Sequence, residues 1–153
     1  MENNVIHDNT PPFDILLVED ELSDAHLIKM AIRENKVWCR LHHAIDGVEA
    51  LAFLRREGEQ YKQVPRPDLI LLDLNMPRMN GREFLAAIKA DDALATIPVV
   101  VLTTSEVERD IVASYKLGAA SYITKPVDIE QFIDAIRQLD SYWFTLTRLP
   151  KKE

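Results

Sequence analysis

The sequence predicts an α/β protein whose parallel sheet is doubly wound by helices, on three observations. Five short apolar runs alternate with five segments of helical apolar spacing, the pattern of repeated βα units joined by right-handed crossovers. Two of the runs, DLILLD and IPVVVL, are almost continuously apolar, as strands buried on both faces are. Two helix starts also carry their own punctuation. Asp46-Gly-Val-Glu49 and Ser105-Glu-Val-Glu108 match the capping box, in which the first side chain and the acid three residues later satisfy reciprocal backbone donors.

In chain order, FDILLV (13–18) is the first strand, and Ala25, Ile28, Ala31 and Ile32 carry the helical spacing after it. VWCRLHH (37–43) is the second, followed by Val48, Leu51, Ala52 and Leu54. DLILLD (68–73) is the third, followed by Phe84, Leu85 and Ile88. IPVVVL (97–102) precedes Val107, Ile111 and Tyr115, and ASYIT (120–124) precedes Ile129, Phe132, Ile133 and Ile136. The stretch GEQYKQVPRP (58–67) is polar, holds two prolines and reads as a loop. The expected organisation is a flexible segment over 1–12, one domain over 13–140, and a tail over 141–153 outside the βα pattern.

At 153 residues the chain is long enough to bury a core without staples. Its single cysteine, Cys39, excludes an internal disulfide and reads as packing. A net charge of −7 argues against general binding to nucleic acid or anionic membrane and suits a site for a cation. LILLDL is too short and too charged to span a bilayer, and MENNVIHDNTPP lacks a basic-then-apolar signal pattern, so a cytoplasmic location is expected.

The chemistry gathers at strand ends. Glu19 and Asp20 come directly after the first strand and Asp73 closes the third; Thr103 and Thr104 follow the fourth and Lys125 the fifth. All fall at C-terminal ends, the edge at which open α/β sheets bind ligands. A strand order of 2-1-3-4-5 would put the switch point between strands one and three, bringing Glu19, Asp20 and Asp73 together. Three carboxylates in one pocket raise one another's pKa. A hard divalent cation relieves this, and Mg²⁺ suits one or two carboxylates, a carbonyl and waters. Asp73 could then act as a nucleophile of the aspartyl-phosphate kind, with the Lys125 ammonium, the Thr103 hydroxyl and backbone N–H groups neutralising phosphoryl oxygens.

ILLVED, LILLDLNMPRMNG, VVVLTTS and ASYITKP, in this order and spacing, resemble the receiver domain of bacterial two-component response regulators over roughly residues 13–140. The resemblance implies a flavodoxin-like (βα)5 fold of order 2-1-3-4-5, with Asp73 as phosphoacceptor. Asp20 and Asp73 would be the Mg²⁺ carboxylates, Glu19 the acid acting through metal-bound water, and the Asn75 carbonyl a further ligand. It further implies Thr103 as the switch hydroxyl, Lys125 as the phosphate-pairing lysine, Tyr122 as the switch aromatic, and a cis Lys125–Pro126 peptide. Glu19 stands where many members have Asp, one methylene longer. The long stretch between Asp20 and Asp73, and the ending FTLTRLP, resemble the small single-domain regulators paired with bacterial phytochromes. The implied function is phosphoryl acceptance from a sensor histidine kinase, with the surface of helix four, strand five and helix five switching for protein contact or onward phosphotransfer, and no external substrate.

Blander readings exist for each residue. An Asp after a strand is often a turn residue, Lys125 could be solvated, Ser105 caps a helix, and Tyr122 could simply pack. The concurrence of Glu19, Asp20, Asp73, Thr103 and Lys125 makes coincidence the weaker account. His26, His42 and His43 fit no metal motif and are read as structural. Tyr142, Trp143 and Phe144 either pack on the last helix or, with Tyr115, form a homodimer contact. A phosphatase with an aspartyl nucleophile is the alternative function, but it wants an acid two residues after the nucleophile, where this chain has Asn75. A flavin carrier would want a Ser/Thr/Gly-rich loop where ELSDAH stands.

Overall fold

Strand β1 (Phe13–Val18) is buried along its whole length, as its apolar run Ile15–Val18 requires. A computed structural model describes residues 13–34, 39–76, 78–114 and 116–137. The elements that follow are α1 (Leu22–Glu34), β2 (Cys39–Ala44), α2 (Gly47–Arg55), a 3₁₀ turn (Glu59–Tyr61), β3 (Leu69–Asp73), α3 (Gly81–Lys89), β4 (Val99–Thr103), α4 (Glu106–Ser114), β5 (Ser121–Thr124) and α5 (Ile129–Arg137). All neighbouring strands pair in parallel, in the order β2-β1-β3-β4-β5. The order predicted for the fold is the order observed.

The sheet separates two cores. On one face Ile15, Leu17, Leu71, Val100 and Leu102 meet Ala25, Ile28 and Ile32 of α1 and Phe132 and Ile133 of α5. On the other, Leu16, Val18, Ile70, Leu72 and Val101 meet Ala50 and Phe53 of α2, Phe84, Leu85 and Ile88 of α3, and Val112 of α4. Alternate strand residues therefore serve opposite faces, which is why β3 and β4 read as unbroken apolar runs.

Helix α4 turns inward a different face from the one its apolar spacing suggests. Val107 and Ile111 are 69% and 49% exposed, and Val112 is buried instead. The predicted loop 58–67 contains the 3₁₀ turn, where Tyr61 packs edge-on against Phe53 with ring centroids 5.6 Å apart. Both predicted helix starts are capped: Glu49 N donates to Asp46 Oδ1 at 2.9 Å and Glu108 N to Ser105 Oγ at 3.1 Å. The return bonds fall one residue earlier than in a standard box, from Ile45 N and Thr104 N. The full reciprocal box is at Asn80 and Glu83, opening α3. Tyr115, Tyr142, Trp143 and Phe144, and with them the tail and dimer expectations, lie outside the described residues. No helix among the described residues is long and apolar enough to cross a membrane.

Candidate functional site

The C-terminal edge of the sheet collects the predicted acids because β1 lies between β2 and β3. Glu19 and Asp20 leave the end of β1 just beside Asp73, the last residue of β3. One ligand atom from each of Glu19, Asp20 and Asp73 lies within 4.8 Å of the others. Glu19 is fully buried and Asp73 is 3% exposed. Burial, and then repulsion from Glu19, push Asp73 up to about 7, against the opposing pull of Lys125 and the Asn75 N–H.

Lys125 enters from the loop after β5, whose backbone is pinned by Lys125 N donating to Thr103 O at 2.7 Å. The Lys125–Pro126 peptide is cis. The ammonium stands 2.8 Å from Glu19 Oε1, 3.0 Å from Asp24 Oδ2 and 3.5 Å from Asp73 Oδ1. Burial works against its charge, yet hydrogen bonds to Glu19 and Asp24 and the fields of Asp73 and Glu19 raise it above the ordinary lysine value. One cation thus faces three ionisable acids at close range, and Asp20 adds a fourth. The Oδ1 atom of Asp20 is buried with no hydrogen-bond partner among the described residues. An orphaned carboxylate oxygen amid excess negative charge is what a hard divalent cation would satisfy, and the all-oxygen donor set is of the right type. The residues present fit such an ion.

A cleft of about 520 Å³ opens on this edge, lined by Asp20, Leu74, Asn75, Met76, Asn80, Arg82, Glu108 and Val112. Asn75 N–H points at Asp73 Oδ1 across 3.4 Å, and its side-chain amide donates to Glu108 Oε2 at 3.2 Å. Burial alone would raise Glu108, but hydrogen bonds from Thr104 and Asn75 and the Lys125 charge hold it below the usual glutamate value. Thr103 is fully buried and its hydroxyl donates to the Ser105 carbonyl at 3.3 Å. Tyr122 is half-buried against the core on the α2–α4 face and lines a separate groove with Glu106 and Arg109. The structure therefore brings Glu19, Asp20, Asp73 and Lys125 together, with Asn75 beside them; Tyr122 stands apart.

The loop from β3 to α3 turns back tightly on itself. Gly81 N donates to Leu74 O at 2.9 Å, and a Cβ at Gly81 would lie 2.6 Å from the Asp73 carbonyl oxygen. Only glycine permits that approach.

Two contributors escape the sequence reading. Asp24, in the first turn of α1, holds Lys125. His43, read above as structural, reaches the reactive edge. Its Nε2 lies 2.7 Å from the Glu19 backbone carbonyl, because β2 ends level with β1. It braces the backbone next to the acids and is not a ligand in the cluster.

Comparison with known proteins agrees with this geometry. Residues 15–137 match the family described as response regulator receiver domain. Response regulator Rcp1 of Synechocystis sp. is 43% identical over 143 residues, covering 94% of this chain and 97% of the relative. The bacteriophytochrome response regulator RtBRR superimposes with a TM-score of 0.79 at 41% identity, over 86% of this chain and 80% of that one. The phosphorylated cyanobacterial phytochrome response regulator RcpA does so with a TM-score of 0.70 at 45% identity, over 92% and 99%. A structure of Rcp1 in its Mn(2+)-bound form gives 0.69 at 42% identity, over 92% and 100%.

Proposed function

This chain belongs to the response regulator receiver domain family, and on that premise we propose that Asp73 is its phosphoacceptor. The donor is a sensor histidine kinase, and the kinship with phytochrome-associated regulators makes a bacterial phytochrome our reading of that kinase. The observation that carries the proposal is the buried Asp73 carboxylate set between like charges and one lysine.

In the reaction, the phosphorus–nitrogen bond of a phosphohistidine breaks as a phosphorus–oxygen bond to Asp73 forms, and the departing imidazole takes a proton from water. Asp20, Asp73 and the Asn75 carbonyl would hold Mg²⁺, with Glu19 acting through its bound water, and the ion would supply charge neutralisation to the crowded acids and to phosphoryl transfer. Asp73 supplies the nucleophilic oxygen. Lys125, held at rest by Glu19 and Asp24, moves to pair with a phosphoryl oxygen. The Thr103 hydroxyl exchanges its bond to the Ser105 carbonyl for one to the phosphoryl group. Tyr122 follows, biasing the α4–β5–α5 surface toward a second arrangement.

Residues 13–140 form the receiver in this reading, and the chain acts as a homodimer. The protein works in the cytoplasm, on partner proteins and not on nucleic acid or membrane, and catalyses only its own phosphorylation and dephosphorylation. Incubation with Mg²⁺ and acetyl phosphate should add one phosphoryl group by intact mass, and Asp73→Asn should add none. Free turnover of phosphate monoesters would instead favour a phosphatase.

A further inference from the structure

The loop that carries Asn75 is anchored at a second point, away from the acids. Arg78, in that loop, adopts φ +62°, in the left-handed region that side chains other than Gly and Asn rarely occupy. A non-glycine residue stays there only where its surroundings hold it. The hold is visible: Arg78 Nε lies 2.6 Å from Oδ2 of Asp46, a carboxylate that is 3% exposed. The other oxygen of Asp46 caps α2 by accepting from Glu49 N at 2.9 Å. Next in the chain, Met79 O accepts from Gly47 N at 3.2 Å. A Cβ on Gly47 would sit 2.7 Å from Met79 Cγ, so the two loops touch without slack. With Gly81 N closing on Leu74 O, the loop is fixed at both ends, and Asn75 lies between.

We propose that Arg78 and Asp46 are positioning residues. Their ion pair clamps the β3–α3 loop to the start of α2, fixes the backbone of Asn75 against the acids, and thereby sets the affinity of the site for its divalent cation. This rests on the reading of Asn75 as a carbonyl ligand given above. Residues that orient a metal ligand from outside typically alter affinity 10–100-fold when removed, and a clamp acting on one of several ligands belongs at the lower end.

The sign of the effect separates a clamp from simple charge. Removing Arg78 takes a cation away from an acidic site, so long-range electrostatics alone would tighten cation binding. Removing the charge of Asp46 would loosen it. A clamp loosens it in both.

The test is a titration of the full chain with Mn²⁺, the free ion counted by electron paramagnetic resonance, for wild type, Asp46→Asn, Arg78→Gly, Arg78→Lys and Asp46→Asn/Arg78→Gly. Asn retains the cap of α2 and Gly accepts the positive φ, so both variants keep the local fold. We expect Kd to rise about tenfold in each of these two single variants, with no further rise in the double variant, partial recovery in Arg78→Lys, and faster amide exchange over 74–80. Opposite signs for Asp46→Asn and Arg78→Gly, additive effects, or a Kd unchanged from wild type would overturn the clamp while leaving the proposed function intact. Failure of the wild type to bind Mn²⁺ would instead overturn the function on which the clamp rests.

Discussion

At the N-terminal edge of the sheet, Asp14 is 6% exposed, and at the C-terminal edge Asp73 is 3% exposed. Their surroundings differ far more than their burial. Asp14 Oδ1 accepts from Arg40 Nε at 2.9 Å and lies 2.9 Å from His42 Nε2, and its Oδ2 takes Arg40 Nη2 at 3.1 Å. Its backbone is also bound in both directions to Asp68. Asp73 has one N–H at 3.4 Å and one ammonium at 3.5 Å, with Glu19 and Asp20 within reach of a shared ion. A buried carboxylate whose lone pairs are filled by its neighbours is a brace. One short of donors and crowded by like charge is suited to a cation and an electrophile. The same residue type, on adjacent strands of one parallel sheet, is braced or left under-partnered by what stands opposite it.

The widest separation of the two should come from replacing each by asparagine. Asp73→Asn abolishes phosphoryl uptake and, by removing a repelled charge, stabilises the cation-free protein by roughly 1–2 kcal/mol. Asp14→Asn presents an amide N–H₂ group to the donors of Arg40, so it melts lower while still taking up phosphoryl. Intact mass after acetyl phosphate and thermal melts in EDTA read both quantities. Loss of stability in both variants would erase the distinction.

A second effect belongs to the braced edge. Cys39, beside Arg40 in β2, has its thiol pushed up to about 12, first by burial and then by the charge of Asp14. At pH 8 the thiolate fraction is roughly 10⁻⁴, against about a tenth for the unfolded thiol at 9.0. Alkylation by iodoacetamide should therefore run about a thousandfold slower in the folded protein, stay slow to pH 10, and jump in urea. The unfolded chain ionises this thiol near 9.0, so its contribution to stability is intact below that value and is lost as pH rises toward about 12. Labelling at the free-thiol rate would show that the edge is open.

Next in size is Lys125, whose side chain is 14% exposed. Lys125→Ala leaves Glu19 and Asp73 buried without their cation and should cost about 2–4 kcal/mol in EDTA, part of it restored by Mg²⁺. Urea melts with and without the ion decide this. An identical loss in both conditions would mean that the ion does not share the task of Lys125.

Much of this difference was legible in the residues, and some was not. The runs 68–73 and 97–102 announced a sheet buried on both faces, and the acids at strand ends announced the site, because strand order converts sequence position into one edge. Helix α4 was misjudged because exposed Val107 and Ile111 share the spacing of a buried stripe; periodicity reports which residues line up, not which way they face. Asp14 was unreadable as a brace, since its partners Arg40 and His42 come from another strand and only the register of β1 on β2 brings them near. His43 was missed for the same reason. Arg78 carried no signal at all, because a positive φ in an arginine is imposed by Asp46 from outside the loop.

The smallest effect should come from Asp24, on the open side of the cluster, its side chain 37% exposed. Its bond to Lys125 is 3.0 Å, but Lys125 retains Glu19 at 2.8 Å, so Asp24→Asn should shift stability by less than about 0.5 kcal/mol. The interest lies in rate. Asp24 draws the ammonium away from the place where a phosphoryl oxygen must meet it, and releasing that hold should speed phosphorylation by acetyl phosphate about two- to threefold at saturating Mg²⁺. At the braced edge, weakening the comparable exposed arm by Arg40→Lys should leave this rate unchanged, because Asp14 takes no part in the reaction. Stopped-flow measurement of both variants, side by side, tests whether the reactive edge is tuned by partial partnership and the braced edge is not; a slower Asp24→Asn would mean that Asp24 orients Lys125 toward the phosphoryl group and does not restrain it.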